Sequence, residues 1–184
     1  MAYPLAMLIA RSPQRRRDFM VLLVILPFAS NFLVRVYAWM IILGPMDLLF
    51  TRFAVIVGMV YVHLPFMILP LYTNLEKHDP ALLDAAQDLG ANAWHTFWRV
   101  TFPLSLPGVF SGSALVFIPV LGMFAIPELL GGKGDWMVGN MIKEAFLGTR
   151  DWPFGSMLSL MLTLAVLAIA GAAALYARKG APGA

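Results

Sequence analysis

The chain has 184 residues, of which 60% are hydrophobic and only 12% are charged, and its mean hydropathy is +0.79. This apolar share exceeds that of a soluble domain and indicates a membrane protein. The sequence contains no cysteine, which excludes disulfides and thiolate metal sites. Its net charge of +3 is better explained by basic loops at a membrane surface than by a nucleic-acid-binding surface.

The first predicted element is a partial helix over residues 1–10. These residues are apolar, but as a helix they extend only about 15 Å, half of the roughly 30 Å thickness of a bilayer core. Basic residues follow this stretch instead of preceding it, which is the reverse of a secretory signal. We therefore expect the inner end of a longer helix, followed by a group of arginines: Arg11, Arg15, Arg16 and Arg17.

Four longer apolar stretches are predicted to span the membrane. They lie at about residues 19–43, 53–74, 104–126 and 154–177. Each is close to the roughly 20 residues that a transmembrane helix needs. The predicted fold class is therefore all-α, a polytopic transmembrane helical protein with a single membrane domain over residues 1–184.

The placement of Lys and Arg predicts the orientation, because cytoplasmic loops of membrane proteins carry an excess of both. If residues 11–17 lie inside, successive crossings place eight basic residues inside and four outside. The segment at 79–103 then falls in the cytoplasm. Arg35 lies within the first span, near its outer end, where its side chain either extends to the membrane surface as an anchor or lies on the solute pathway.

The segment at 79–103 is polar and is predicted to form two short helices. Asp79 can cap a helix that begins at Pro80, since proline loses no hydrogen bond at the first helical position. Gly90 suits the left-handed conformation that ends many helices, and Asn92 can cap the second helix. That helix carries aromatic residues suited to a membrane interface, namely Trp94, Phe97 and Trp98.

The same segment resembles the EAA loop of ABC importer permeases, in which an acid-Ala-Ala-x-x-x-Gly run is followed at a fixed distance by Ile-x-Leu-Pro. Here the acid is Asp instead of Glu, Val100 replaces Ile and Phe102 replaces Leu. The resemblance implies that this loop couples the chain to an ATPase through the residues that match the motif: Asp84, Ala85, Ala86, Gly90 and Pro103.

Two further runs, Pro-Glu-Leu-Leu-Gly-Gly at 127–132 and Asp-Trp-Pro-Phe-Gly at 151–155, make the chain similar to polyamine permeases. The likeness is greatest to the first permease subunit of spermidine/putrescine importers. It implies an inner-membrane subunit that moves solute by alternating access. The implied partners are a second permease, an ABC ATPase dimer that hydrolyses the ATP, an extracytoplasmic solute-binding protein and the lipid bilayer. We expect no cofactor, no nucleic acid and no enzymatic activity of the chain itself.

The chain departs from the family pattern in two places. It begins near the end of what would be the second helix of the family, and its connection from Gly44 to Arg52 is shorter than the family's. These departures predict a chain shortened at the N-terminus. Both a naturally short subunit and a truncated, non-transporting membrane protein fit this pattern.

A polyamine is a flexible polycation, so its path should offer carboxylates and aromatic faces that attract cations. The candidate residues for this path are Glu128, Asp151, Trp152, Trp39 and Tyr37. The aromatic residues also fit an interfacial belt, and Asp151 also fits the cap of the helix that follows it.

Two other functions are compatible with parts of the sequence. A permease of this type could carry another small solute. An intramembrane hydrolase would need Ser111 or Ser113 as nucleophile with His63 as base. The Gly108-x-x-x-Gly112 spacing around these serines instead predicts a small-residue face for close helix packing.

Overall fold

The structure is a computed structural model that describes residues 1–179. Over this range the chain is helical and contains no strand, which confirms the all-α class. The first helices are α1 Ala2–Ala10, α2 Gln14–Ile25, α3 Phe32–Leu43, α4 Arg52–Leu75 and α5 Pro80–Asp88. The later helices are α6 Ala93–Thr96, α7 Phe102–Leu121, α8 Ala125–Leu130, α9 Val138–Lys143 and α10 Trp152–Lys179.

Within the described range, three helical stretches are long and apolar enough to cross a membrane, and a bent pair of helices gives a fourth if it counts as one span. The three continuous stretches are Arg52–Leu75, Ala93–Leu121 and Trp152–Ala172. The spans predicted at 53–74 and 154–177 correspond to α4 and α10.

The span predicted at 19–43 differs from the structure, which bends there instead of forming one helix. Ser30 adopts an extended backbone with ψ of 152°. The Oδ1 atom of Asn31 then accepts the Leu33 N–H at 2.8 Å, as a helix cap does. The polar Ser30-Asn31 pair thus ends one helix and starts the next, and an angle of 94° separates Gln14–Ala29 from Phe32–Met46.

The span predicted at 104–126 also has different ends. The helical stretch begins earlier, at Ala93, and it stops at Leu121. Gly122, a poor helix former, follows directly, and the Met123 N–H bonds to the Val120 carbonyl in a tight turn. The last predicted residues therefore belong to the turn and to α8, a separate short helix.

The chain forms two compact units, each assembled from segments that are distant in sequence. One unit contains Met1–Arg35 and Val60–Val116, and the other contains Val36–Met59 and the chain from Phe117 onward. The unit boundaries fall inside α3, α4 and α7. Each unit has its own buried side chains.

The first unit is built around α1 and the second half of α4. Ala6 and Ile9 of α1 are buried against Ile68, Leu71 and Leu75 of α4. The apolar stretch at 1–10 is therefore a helix packed into a core. Because α4 is a membrane span and lipid tails are as apolar as these side chains, close van der Waals packing stabilises this contact rather than removal from water.

The predicted small-residue face on α7 is confirmed, since it lies directly against α4. A Cβ atom added to Gly108 would lie 2.7 Å from the Cβ of Asn74 and 3.2 Å from the Cα of Leu71. One added to Gly112 would lie 2.8 Å from the sulfur of Met67. Only glycine permits this approach of the two backbones. On the same helix, the Ser111 hydroxyl donates to the Gly108 carbonyl at 3.1 Å, a bond internal to the helix rather than to a base.

In the second unit, α8 packs beneath α4. Ile126 and Leu130 are fully buried, and a Cβ atom on Gly58 would lie 3.0 Å from each of these two side chains. The amide of Asn140, in α9, donates to the Phe124 carbonyl at 3.0 Å, which ties α9 to the start of α8. Pro127, Leu130 and Gly131 of the Pro-Glu-Leu-Leu-Gly-Gly run are thus buried, whereas Glu128 is exposed.

The close contact at Gly108 predicts that Gly108→Ala destabilises the protein by about 1–3 kcal/mol, because overpacking a filled interface forces its neighbours apart. Gly171→Ala is the matched control, since a Cβ atom there meets nothing within 4 Å. Both substitutions gain the same helix propensity, so their difference isolates the contact. Thermal unfolding of the two variants in detergent measures it. Equal melting temperatures would show that the interface does not depend on glycine.

Candidate coupling segment and solute-path residues

The helix that carries the acid-Ala-Ala run is capped at both ends, as the sequence predicts. The Oδ1 atom of Asp79 accepts the Ala81 N–H at 3.0 Å, and Pro80 is the first helical residue. At the other end Gly90 has φ of +80°. The Gly90 N–H bonds to the Gln87 carbonyl at 2.8 Å, and the next residue's N–H bonds to the carbonyl five residues earlier at 3.0 Å. This pair of bonds is the Schellman arrangement, which favours glycine at the left-handed position.

The second short helix and the start of α7 follow the predicted order. The Oδ1 atom of Asn92 accepts the His95 N–H at 2.9 Å and so caps α6. A wide turn of π-helix, Phe97–Thr101, then leads into α7. Pro103 is the second residue of α7. The wider turn before it accommodates a residue that has no N–H to donate.

Aromatic rings connect this segment to α1. The rings of Phe97 and Tyr3 meet edge to face with 5.4 Å between their centroids, and the Tyr3 hydroxyl lies 2.8 Å from the hydroxyl of the fully buried Ser105. Trp94 and Trp98 stack edge to face at 5.8 Å and are 68% and 47% exposed. The inner rings hold the segment against the first unit, and the outer indoles remain accessible.

No residue of α5 is buried by the rest of the described chain. Leu82 is 47% exposed and Leu89, which follows the helix, is 89% exposed. Asp84 and Ala85 are exposed, and Ala86 is partly exposed. The structure therefore presents a short, well-capped helix whose apolar side chains keep much of their surface uncovered.

The structure contains an ion pair near this segment that the sequence did not predict. Arg17, in the first turn of α2, binds Glu76 at 2.8 Å, just after the end of α4. Both side chains are partly covered, with 22% and 35% of their surface exposed. The sequence offers only a weak signal for this pair, namely opposite charges at two helix ends predicted to share one membrane face.

Glu128, the first candidate for the solute path, already has a cationic partner. Its Oε1 atom forms an ion pair with the Nζ of Lys143, from α9. That ammonium also lies 5.7 Å from the ring centroid of Phe124, a cation–π arrangement. The Glu128 side chain is 42% exposed, so the carboxylate remains accessible beside its partner.

Asp151 performs the capping role that the sequence left open. Its Oδ1 atom accepts the Phe154 N–H at 3.1 Å, at the start of α10. Trp152 is 64% exposed and meets Phe146 edge to face at 6.0 Å. Asp151 and Glu128 therefore bind different partners in the described structure.

The two aromatic candidates on α3 do not share one face of that helix. Tyr37 is 50% exposed, and Trp39 is partly buried. Residues two apart on an α-helix point to different sides. A single row of aromatic rings formed by Tyr37 and Trp39 is therefore excluded.

The amino-acid sequence matches a known family. The family model for binding-protein-dependent transport system inner membrane components matches residues 2–178. The chain belongs to this family. Because it belongs to this family and has the apolar helices described above, the chain is an inner-membrane protein of a transport system.

Within this family, the chain is similar to several curated permeases. The chain is 44% identical to the spermidine/putrescine transport system permease protein PotB of Haemophilus influenzae, over 88% of this chain and 63% of the relative. It is 41% identical to the PotB protein of Escherichia coli K12, over 89% of this chain and 66% of the relative. It is 30% identical to the inner membrane ABC transporter permease protein YdcU of the same organism, over 88% of this chain and 60% of the relative. The chain thus spans slightly less than two thirds of the length of these relatives.

The left-handed turn at Gly90 predicts a purely conformational effect of Gly90→Ala, because an added Cβ atom meets nothing within 4 Å. The φ of +80° costs a residue with a Cβ atom about 1–2 kcal/mol. We expect amide hydrogen exchange within α5 to become about fivefold faster or more, since local opening becomes easier. Gly122→Ala is the control, with equal space and no positive φ. Equal exchange in α5 for both variants would contradict the assigned turn.

Proposed function

We propose that this chain is a transmembrane permease subunit of an ABC importer for polyamines, with the segment at 79–103 as its contact to the ATPase. The observation that carries the proposal is α5, which is capped at both ends and has no buried residue, in a chain of this transport family. The two caps stabilise this short helix without help from the rest of the described chain.

The side chains of α5 suit insertion into a groove on a partner. Ala85 and Ala86 keep one side of the helix thin, so another backbone can approach closely. Leu82 and Leu89 offer exposed apolar surface that a hydrophobic groove would bury. An amphipathic helix placed in a groove is a common mode of protein recognition.

The implied mechanism is alternating access. ATP closes two ATPase subunits, which press on the coupling segments of two paired permeases and rock them between inward- and outward-open states. In this chain the force would pass from α5 through the aromatic contacts of Phe97 and Tyr3 to α1 and α4. ATP hydrolysis belongs to the ATPase, and a solute-binding protein delivers the solute from outside, so the chain itself performs no chemical reaction.

The polyamine assignment rests on the PotB relatives and on the chemistry of Glu128. The carboxylate of Glu128 is partly exposed and already binds the primary ammonium of Lys143. A polyamine ends in the same chemical group. We propose that the solute ammonium competes with Lys143 for this carboxylate. Asp151 and the aromatic residues Trp152, Trp39 and Tyr37 stay as weaker candidates for the path, because Asp151 is occupied as a cap.

A different solute is the second candidate function. The YdcU relative is named as an inner membrane ABC transporter permease without a solute. Transport of an anion without competition by polyamines would favour this alternative and leave the importer assignment intact.

The exposed face of α5 predicts that Ala86→Arg blocks contact with the ATPase sterically. Solute-stimulated ATP hydrolysis by the reconstituted complex should fall to near its unstimulated rate, while membrane insertion is unchanged. Ala86→Ser is the matched control, because it keeps the thin face and should preserve stimulation. Normal stimulation in the Ala86→Arg complex would remove α5 from the contact.

The Glu128–Lys143 pair allows a test that separates a solute contact from a structural ion pair. If the solute competes for the carboxylate, Glu128→Gln should lower spermidine uptake, whereas Lys143→Gln should preserve or raise it. The difference should be largest at low ionic strength, since accessible charges are screened over about 8–10 Å at physiological salt.

A purely structural pair gives a different pattern, in which both substitutions lower uptake and protein abundance together. Uptake is therefore measured at matched expression, in a complex with the second permease, the ATPase and the binding protein. Unchanged uptake in the Glu128→Gln complex would leave the residue as part of the scaffold.

A further inference from the structure

An open cavity of about 270 Å³ lies at the beginning of α4, in the second unit. One part of its lining is polar and the other is apolar. The polar part comes from Arg52, Gly134 and Asp135, and the apolar part comes from Val55, Ile56 and Trp136. Neither the coupling segment nor the Glu128–Lys143 pair uses any of these residues.

The guanidinium of Arg52 is oriented by the carboxylate of Asp135, which is only slightly exposed. Its Nε atom donates to the Oδ1 of Asp135 at 3.1 Å. The other carboxylate oxygen of Asp135 accepts the Gly132 N–H at 3.0 Å. The Asp135 side chain is only 13% exposed, whereas that of Arg52 is 86% exposed. The carboxylate is thus satisfied on both oxygens, and it fixes one edge of an otherwise exposed guanidinium.

The remaining edge of this guanidinium is available to an anion. Among residues 1–179, Asp135 is the one hydrogen-bond and ion-pair partner found for Arg52, and the bond uses Nε alone. The two Nη groups form a planar pair of donors that matches the oxygens of a phosphate or a carboxylate. A guanidinium held in position loses less conformational freedom on binding than a mobile one.

The apolar part of the lining indicates which anion fits. Arg52 is the first residue of a helix that is long and apolar enough to cross the membrane. Beyond it along α4, Phe53 and Ile56 are 53% and 60% exposed, and Trp136 at the cavity is 54% exposed. An arginine at the end of a membrane span, beside apolar surface and an indole, lies where phospholipid headgroups meet acyl chains.

We propose that this cavity binds an anionic phospholipid, with its phosphate on the Nη groups of Arg52 and its acyl chain along Ile56 and Phe53. The net charge favours this ligand, because Asp135 is neutralised by Arg52 and the same loop carries the exposed Lys133. A small carboxylate or phosphate ligand without an acyl chain would leave the apolar surface of the cavity uncovered. Lipid binding at this cavity does not depend on the proposed transport function.

The test compares charge with geometry at one position. The purified full chain in neutral detergent is titrated with short-chain phosphatidylglycerol, and its dissociation constant is measured by native mass spectrometry. Arg52→Lys keeps the positive charge but loses the planar pair of donors. We expect about tenfold weaker binding for Arg52→Lys, since hydrogen bonds to charged groups are individually strong.

Arg16→Lys is the matched control, because Arg16 is also an exposed arginine in the first turn of a helix but does not line the cavity. Its binding constant should stay at the wild-type value. Equal constants for wild type and Arg52→Lys, or equal losses in both variants, would show general attraction at the membrane surface and overturn the proposal. Thermal unfolding of each variant checks that the fold is intact.

Two further measurements distinguish an anionic phospholipid from other ligands of the cavity. Glycerol phosphate offers the same anion without an acyl chain, and binding as tight as that of the lipid would overturn the role of Ile56 and Phe53. A solute-binding protein with surface carboxylates is the alternative partner. If Arg52→Lys weakens activation by that protein but leaves phosphatidylglycerol binding unchanged, the cavity is a protein contact and the lipid proposal is wrong.

Discussion

The end of a helix leaves backbone N–H and C=O groups without partners inside the helix, and these groups need other hydrogen-bond partners. Short polar side chains and one glycine perform this task at the breaks: Asn31 before α3, Asp79 and Gly90 around α5, Asn92 before α6 and Asp151 before α10. These caps decide where each helix begins or ends. The exposed position of α5, and with it the candidate contact to the ATPase, follows from two of them.

In the first unit, the helices that these caps delimit pack closely against one another. Gly108 and Gly112 allow α7 to approach the backbone of α4, and α1 fills the adjacent core. The Tyr3 ring then contacts Phe97, at the point where the coupling segment returns to the membrane helices. Under the proposed function, a displacement of α5 would pass to α4 through these packed rings and aliphatic side chains. This continuity is what a coupling segment requires.

Charged residues near the helix ends are held in pairs, and these pairs change how single residues are interpreted. Glu128 is bound to Lys143, Arg17 to Glu76 and Arg52 to Asp135. Under the proposed function, a solute cation at Glu128 would therefore have to compete with Lys143. An exposed arginine such as Arg52 is in contrast held in place by Asp135 and keeps donors available. Each of these pairs is neutral, so its geometry, and not its net charge, indicates which further ligand it can accept.

Composition and local spacing alone determined the membrane class, the all-α fold, the caps of α5 and α6, and the close face of α7. These features depend on hydropathy and on neighbours within a few residues, so they can be read from the sequence. The break at Ser30-Asn31 was missed because a long apolar stretch masks two polar residues. The ion pairs, the packing of α1 against α4 and the cavity at Arg52 were decided only by the tertiary structure. Their members are far apart in the chain, and no local rule states which distant charges or faces will meet.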